Sequence, residues 1–159
     1  MVKYLGYKRW IPHPDVRCVA LCADGTLCAG TQEGVSIIRT VEMTLAEKAA
    51  YYQEITEKYH VRRDGFVTVR SLTREGDLSS GHVTISDNDG LWTGCYAAPQ
   101  CFRYSVTKEP EAASLARRSI LAMVRLAQVT GIPGFTARAI RYPGEDQFGN
   151  GDPEWQPQR

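Results

Sequence analysis

Asp87 and Asp89 flank Asn88 in the string Asp87-Asn88-Asp89-Gly90, and Trp92 and Tyr96 follow close behind. Paired carboxylates beside aromatic rings suit general acid/base work on a sugar, one carboxyl giving a proton while the other accepts one. The same string also suits a helix opening, where Asp89 is a good N-cap and two carboxylates favour the positive end of the helix dipole. Of the three histidines, His82 is the best placed to act as a base, because it lies in the loop leading to Asp89. His60 is more simply a partner for a helix C-terminus, and His13 stands between two prolines. Trp92, Tyr96, Phe102 and Tyr104 can stack on pyranose rings, or fill a core at helical spacing. Arg103 and Arg138 can grip the carboxylate of an acidic glycan in a two-pronged fork, or pair with Glu and Asp at the surface. The expected catalytic set is therefore Asp87, Asp89 and His82, and the expected substrate-binding set is Trp92, Tyr96, Arg103 and Arg138.

Other chemistries are disfavoured. The chain has no P-loop, no Gly-x-Gly-x-x-Gly, no Gly-x-Ser-x-Gly and no Cys/His nucleophile arrangement, so no cofactor is expected. Five cysteines is an odd number, which leaves at least one outside any internal disulfide. Only Cys18 and Cys22 have a zinc-like spacing, and no second pair or His-x3-His string completes a site, so no metal is expected. On strands, Cys18 and Cys22 would share one face and act as small hydrophobes. Nineteen Lys and Arg against eighteen Asp and Glu give a net charge of +1, too weak a field to favour nucleic acid. Arg117, Arg118 and Arg125 read as a solvated helix face. No apolar run approaches the roughly 20 residues of a membrane span, and the opening residues lack the apolar stretch of a signal peptide. With 43% hydrophobic and 23% charged residues in 159, the chain has the material for a packed core.

The elements that must position these side chains can be read from period and punctuation. Residues 16–22, 26–29 and 35–38 are rich in β-branched and apolar types, with Asp24-Gly25 between the first two. Asp-Gly predicts a type I′ hairpin, with both central residues at positive φ. Gly30 and Gly34 are expected to punctuate the next reversal, completing a three-stranded meander. Thr44-Leu45-Ala46-Glu47 is a capping box, and Leu45, Ala49, Tyr52, Ile55 and Tyr59 form an apolar stripe, so a helix is expected over 45–60. Residues 65–86 read as an extended connection with one short strand. A second helix starts at Asp89, with a kink or break expected near 95–99 because Pro99 lacks an amide donor. A third runs from Pro110 to Gly131, forming an antiparallel hairpin with the second through Thr107-Lys108-Glu109.

The segment from Val16 to Ile38 resembles one blade of the two-component-regulator type of β-propeller. Such blades carry an Asp-Gly turn and then an aromatic-x-Gly-Thr-x-x-Gly string, which here reads Cys28-Ala29-Gly30-Thr31-Gln32-Glu33-Gly34, with Cys28 in place of the usual Trp. From Thr44 to about Tyr142 the chain is similar to the helical region that follows such propellers in large bacterial proteins. The matching strings are His60-Val-Arg-Arg-Asp-Gly65, Asp87-Asn-Asp-Gly-Leu-Trp-Thr-Gly94, Phe102-Arg-Tyr-Ser-Val-Thr107 and Val129-Thr-Gly-Ile-Pro-Gly-Phe135. Pro99 departs from a position where a helix-compatible residue is usual. The resemblance implies an α+β chain in which three helices look like the opening of an (α/α) toroid, an architecture shared by many glycoside hydrolases and polysaccharide lyases. Its expected divisions are a blade-like unit at 1–43, a helical region at 44–142 and a flexible tail at 143–159. It also implies an oligosaccharide ligand, and longer relatives that are exported. Propellers and toroids need more units than one blade and three helices, because each unit leaves an apolar face for its neighbour. The chain therefore reads as a junction within a longer protein, or as a shortened relative that repacks or oligomerises to cover those faces. The runner-up reading is a non-enzymatic interaction module whose apolar faces recruit another chain.

Overall fold

A computed structural model of the chain places a three-stranded sheet ahead of the helices. It describes residues 3–6, 10–74, 76–145 and 155–156. The arrangement is α+β: a three-stranded antiparallel sheet followed by three helices. Strands β1 (Val16–Leu21), β2 (Leu27–Thr31) and β3 (Gly34–Ile38) pair in sequence order. Helices α1 (Leu45–Tyr59), α2 (Asp89–Thr107) and α3 (Pro110–Gln128) follow, and between α1 and α2 two-residue strands β4 (Arg70–Ser71) and β5 (His82–Val83) form a small antiparallel pair. By contacts the chain divides into two compact units, residues 1–51 with 74–77, and residues 52–73 with 78–159. Of the tail expected at 143–159, only 143–145 and 155–156 are among the described residues.

The first hairpin forms where Asp24-Gly25 predicts it, with different turn chemistry. Cys22 N–H donates to Thr26 O at 2.9 Å and Gly25 N–H to Cys22 O at 3.0 Å, leaving a three-residue loop. Only Gly25 has positive φ, at 80°, while the Asp24 carboxylate accepts from the Thr26 N–H at 2.9 Å and its hydroxyl at 3.0 Å. A type I turn closed by a left-handed glycine serves this loop length, so the type I′ expectation is corrected. Gly30 also lies inside β2, opposite Cys18 and Val35, instead of punctuating a reversal. It keeps the strand clear where the Cys18 side chain crosses it, a place any Cβ would fill.

The capping box at the start of α1 forms as expected: Thr44 N–H donates to Glu47 Oε2 at 2.7 Å, and Glu47 N–H to Thr44 Oγ1 at 3.2 Å. The expected apolar stripe is not what α1 buries, since no residue of the helix is buried and Leu45 stands in solvent. Within the second unit, α1 instead presents Gln53 and Glu57, one turn apart, to Tyr96, Gln100 and Arg118.

Helix α2 runs unbroken from Asp89 through Pro99 to Thr107, correcting the expected break. The packing on both sides of the proline holds it: Tyr96, Ala97 and Gln100 are buried, and α3 lies along the helix. Lys108 turns the chain at φ 58°, and α3 returns antiparallel, so that its Met123 and Leu126 lie against Gly94 and Gly90. Small buried residues line this hairpin, among them Thr93, Ala97, Ala112, Ala116, Ser119 and Ala122, and they let the two backbones approach closely. The core of this unit gathers Phe66, Ala122, Leu126 and Ile140, with Val129, Ala137 and Tyr142 packed around them.

Candidate functional site

The opening of α2 separates its two carboxylates. Asp89 is the first helical residue and not the cap: Asn88 holds the cap position and makes no side-chain capping bond. Asp89 Oδ1 accepts from the Ser86 N–H at 3.0 Å, and Oδ2 accepts from Arg62 Nε at 3.1 Å and Nη2 at 2.9 Å. The Asp89 side chain is 0% exposed and that of Arg62 6%. Arg62 Nη1 donates to both oxygens of Glu145, at 3.0 and 3.1 Å, and Nη2 donates to the Ile140 carbonyl at 2.6 Å. The guanidinium lies 5.0 Å from the centroid of the Phe66 ring. All three of its nitrogens therefore have acceptors, which favours burying an arginine.

Asp89, expected as a catalytic residue, is buried, and its carboxylate is engaged by Arg62 and the Ser86 amide. Asp87 faces outward and pairs with Arg138 Nη2 at 2.9 Å, both side chains being well exposed. Arg138 Nε also donates to the Asp87 carbonyl at 2.9 Å, and Nη2 to Asn88 Oδ1 at 3.3 Å. One turn further on, Trp92 is partly exposed. The structure thus brings Asp87, Arg138 and Trp92 to one end of α2. His82 is exposed on β5, at the edge of a pocket of about 260 Å³ whose walls include Arg62, Ile85 and Glu145.

The remaining expected residues lie elsewhere. Tyr96 is buried, and its hydroxyl donates to Glu57 Oε1 at 2.5 Å and accepts from Gln53 Nε2. Arg103 sits at the opposite end of α2 and pairs with Glu109 and Glu111, the latter at 2.8 Å, across the link to α3. Those carboxylates, Glu111 first, raise its already high pKa further.

Three helices share a polar cluster that sequence reasoning missed. Arg118 grips Glu57 with two bonds of 2.9 and 2.6 Å, and Gln100 Nε2 donates to Gln53 Oε1 at 2.5 Å. Burial works against ionising Glu57, yet the Arg118 and Tyr96 hydrogen bonds hold its carboxyl below the usual glutamate range. Burial, and then the bond to Glu57, push the Tyr96 hydroxyl well above the usual tyrosine value. Arg62 was legible only as part of the string His60–Gly65, and Glu145 fell in the expected tail.

Among the described residues, no group of three or more His, Cys, Asp or Glu stands where it could hold a metal ion. No described helix is long and apolar enough to cross a membrane. No family model matches the chain, and neither a curated protein nor a solved structure does.

Two outcomes are expected. Asp89→Asn leaves the buried guanidinium short of charge and costs roughly 3–5 kcal/mol, whereas Asp87→Asn changes stability by less than about 0.5 kcal/mol. Urea unfolding compares them, and equal costs would remove Asp89 from its structural role. The second concerns pH. A depressed Glu57 contributes stability that is present above its ordinary value of 4.5 and lost as pH falls through its lower folded value. A raised Tyr96 contributes stability that is present below its ordinary value of 10.0 and lost as pH climbs through its higher folded value. Thermal unfolding should therefore show a plateau between these limits. Tyr96→Phe should weaken the alkaline fall, leaving the part due to Tyr142, which desolvation and Asp64 also raise. An unchanged alkaline limb would count against this coupling.

Proposed function

We propose that this chain is a non-catalytic assembly module whose β1–β3 sheet forms one layer of a larger stack. Further blades of a longer propeller-like protein, or second copies of this chain, would supply the other layers. The carrying observation is that the sheet exposes apolar side chains on both faces. In the register Ala20, Cys28 and Ile37 share one face, while Val19, Ala29 and Ser36 share the other. Val35 and Ile37 are 69% and 59% exposed on the first face, and Val19 and Leu21 are 63% and 74% exposed on the second. Sheets apolar on both sides are those covered on both sides. Each such side chain gains about 1.5–3 kcal/mol on full burial. The resemblance of residues 16–38 to a propeller blade is consistent with this use.

A second reading rests on the opening of α2, where the exposed Asp87 and Arg138 and the half-buried Asn88 present planar polar groups about one turn from an exposed Trp92. That set suits the binding of an acidic oligosaccharide: Arg138 would exchange Asp87 for a glycan carboxylate, and the indole would carry a sugar ring. With Asp89 sealed by Arg62, Asp87 has no carboxylate partner at that opening. The reading at that opening is therefore ligand binding.

Sedimentation of the purified chain tests the first reading. Wild type should self-associate and bind a hydrophobic dye, and Val19→Lys with Ile37→Lys should give a monomer with unchanged helical circular dichroism. A folded wild-type monomer that binds no dye overturns it. For the second, thermal stabilisation by an acidic oligosaccharide should vanish in Trp92→Ala, and no shift at millimolar ligand sinks the idea.

A further inference from the structure

Three of the five cysteines lie on one face of the β1–β3 sheet. Side chains alternate along a strand, so Cys18, Ala20 and Cys22 point the same way, and Cys28 stands opposite Ala20 on that face. Cys22 lies one residue beyond β1 yet keeps the register, because its N–H donates to Thr26 O at 2.9 Å. Cys28 is thus a diagonal neighbour of both Cys18 and Cys22. The two are exposed, and Cys28 is half-buried.

Diagonal positions in a flat ladder are about 7–8 Å apart, beyond the roughly 4.4–6.8 Å between Cα atoms that a disulfide spans, so closure requires the strands to shift toward each other. Strand twist brings one diagonal closer than the other. Cys22, held in register at the mouth of the hairpin, is the partner left for Cys28. Desolvation pushes the Cys28 thiol above its ordinary value, and the neighbouring Cys22 thiol pushes it further. Cys18 is turned toward its own cross-strand partner, with its sulfur lying over Gly30.

We propose that Cys22 and Cys28 form a redox dithiol that a small disulfide of the oxidised-glutathione class converts into an intramolecular disulfide. The inference rests on the sheet register and not on the assembly proposed above. The exposed Cys22, as its thiolate, attacks one sulfur of the oxidant. That S–S bond breaks, one glutathione thiolate leaves, and a mixed disulfide remains on Cys22. Cys28 then loses its proton and attacks the Cys22 sulfur, forming the Cys22–Cys28 bond and expelling the second glutathione thiolate. Two protein thiols are oxidised, one oxidant is reduced to two glutathione thiols, and the two protons pass to those thiols. The bridge closes the mouth of the hairpin beside Ile37, on one of the exposed apolar faces, so its state alters a surface that would otherwise stay open.

The full chain carrying Cys95→Ser and Cys101→Ser is treated with oxidised glutathione under native conditions, and free thiols and intact mass are measured. Adding Cys18→Ser should leave closure intact, with the loss of two thiols and two hydrogens and no adduct. Adding Cys22→Ser or Cys28→Ser to the same background should abolish closure and leave glutathione adducts. Equal helical circular dichroism among the variants ensures that folded protein is compared. Closure that persists without Cys28, closure that fails without Cys18, or a parent that accumulates only adducts overturns the proposal.

Discussion

A buried guanidinium tolerates no vacant N–H, and that constraint organises the helical unit. Removing an arginine from water carries a penalty of several kcal/mol unless every donor finds an acceptor and the charge finds a partner. Arg62 meets the condition by drawing in three distant pieces of chain: Asp89 at the start of α2, the Ile140 carbonyl, and Glu145. Phe66 beneath the guanidinium belongs to the same core as Leu126 and Ile140. The ion pair and the apolar core are therefore two sides of one cluster. Loss of either would release the start of α2 and the segment that follows α3.

That constraint also governs the chemistry open to the chain. Asp87 and Asp89 look alike in sequence, and their spacing invites a two-carboxylate mechanism. A helix start turns residues two apart toward different sides, so one of them meets Arg62 in the interior while the other meets Arg138 at the surface. The partner that decides the role of Asp89 is 27 residues away, and Glu145 is 83 from Arg62, distances over which no local pattern carries information. Features set by neighbouring residues were legible. The Thr44–Glu47 box, the place of the Asp24-Gly25 reversal, Pro110 at the start of α3 and the α+β order of elements all follow from local rules. The turn type at Gly25 depended on one more residue of loop length. The continuity of α2 through Pro99 depended on packing against α3 that spacing does not reveal.

The face of α1 shows the same limit from the other side. Its apolar positions recur at helical steps, yet the residues that meet α2 and α3 are Gln53 and Glu57, which enter a network with Tyr96, Gln100 and Arg118. Period alone identifies a stripe and leaves open which stripe is covered. In the β1–β3 sheet the converse holds: the strands are apolar on both faces, and the described residues leave Val19, Leu21, Val35 and Ile37 in solvent. One unit gathers a core around Phe66, Leu126 and Ile140, and the other leaves apolar side chains of both sheet faces in solvent.

Residue-resolved amide hydrogen exchange on the folded chain measures that contrast. The amides of α2, α3 and the segment from Phe66 to Thr68 should exchange slowly and through one common opening. Those of β1, β2 and β3 should exchange far faster, as in a hairpin sheet without a packed face. Sheet amides protected as strongly as those of α3 in a monomeric sample would contradict the account.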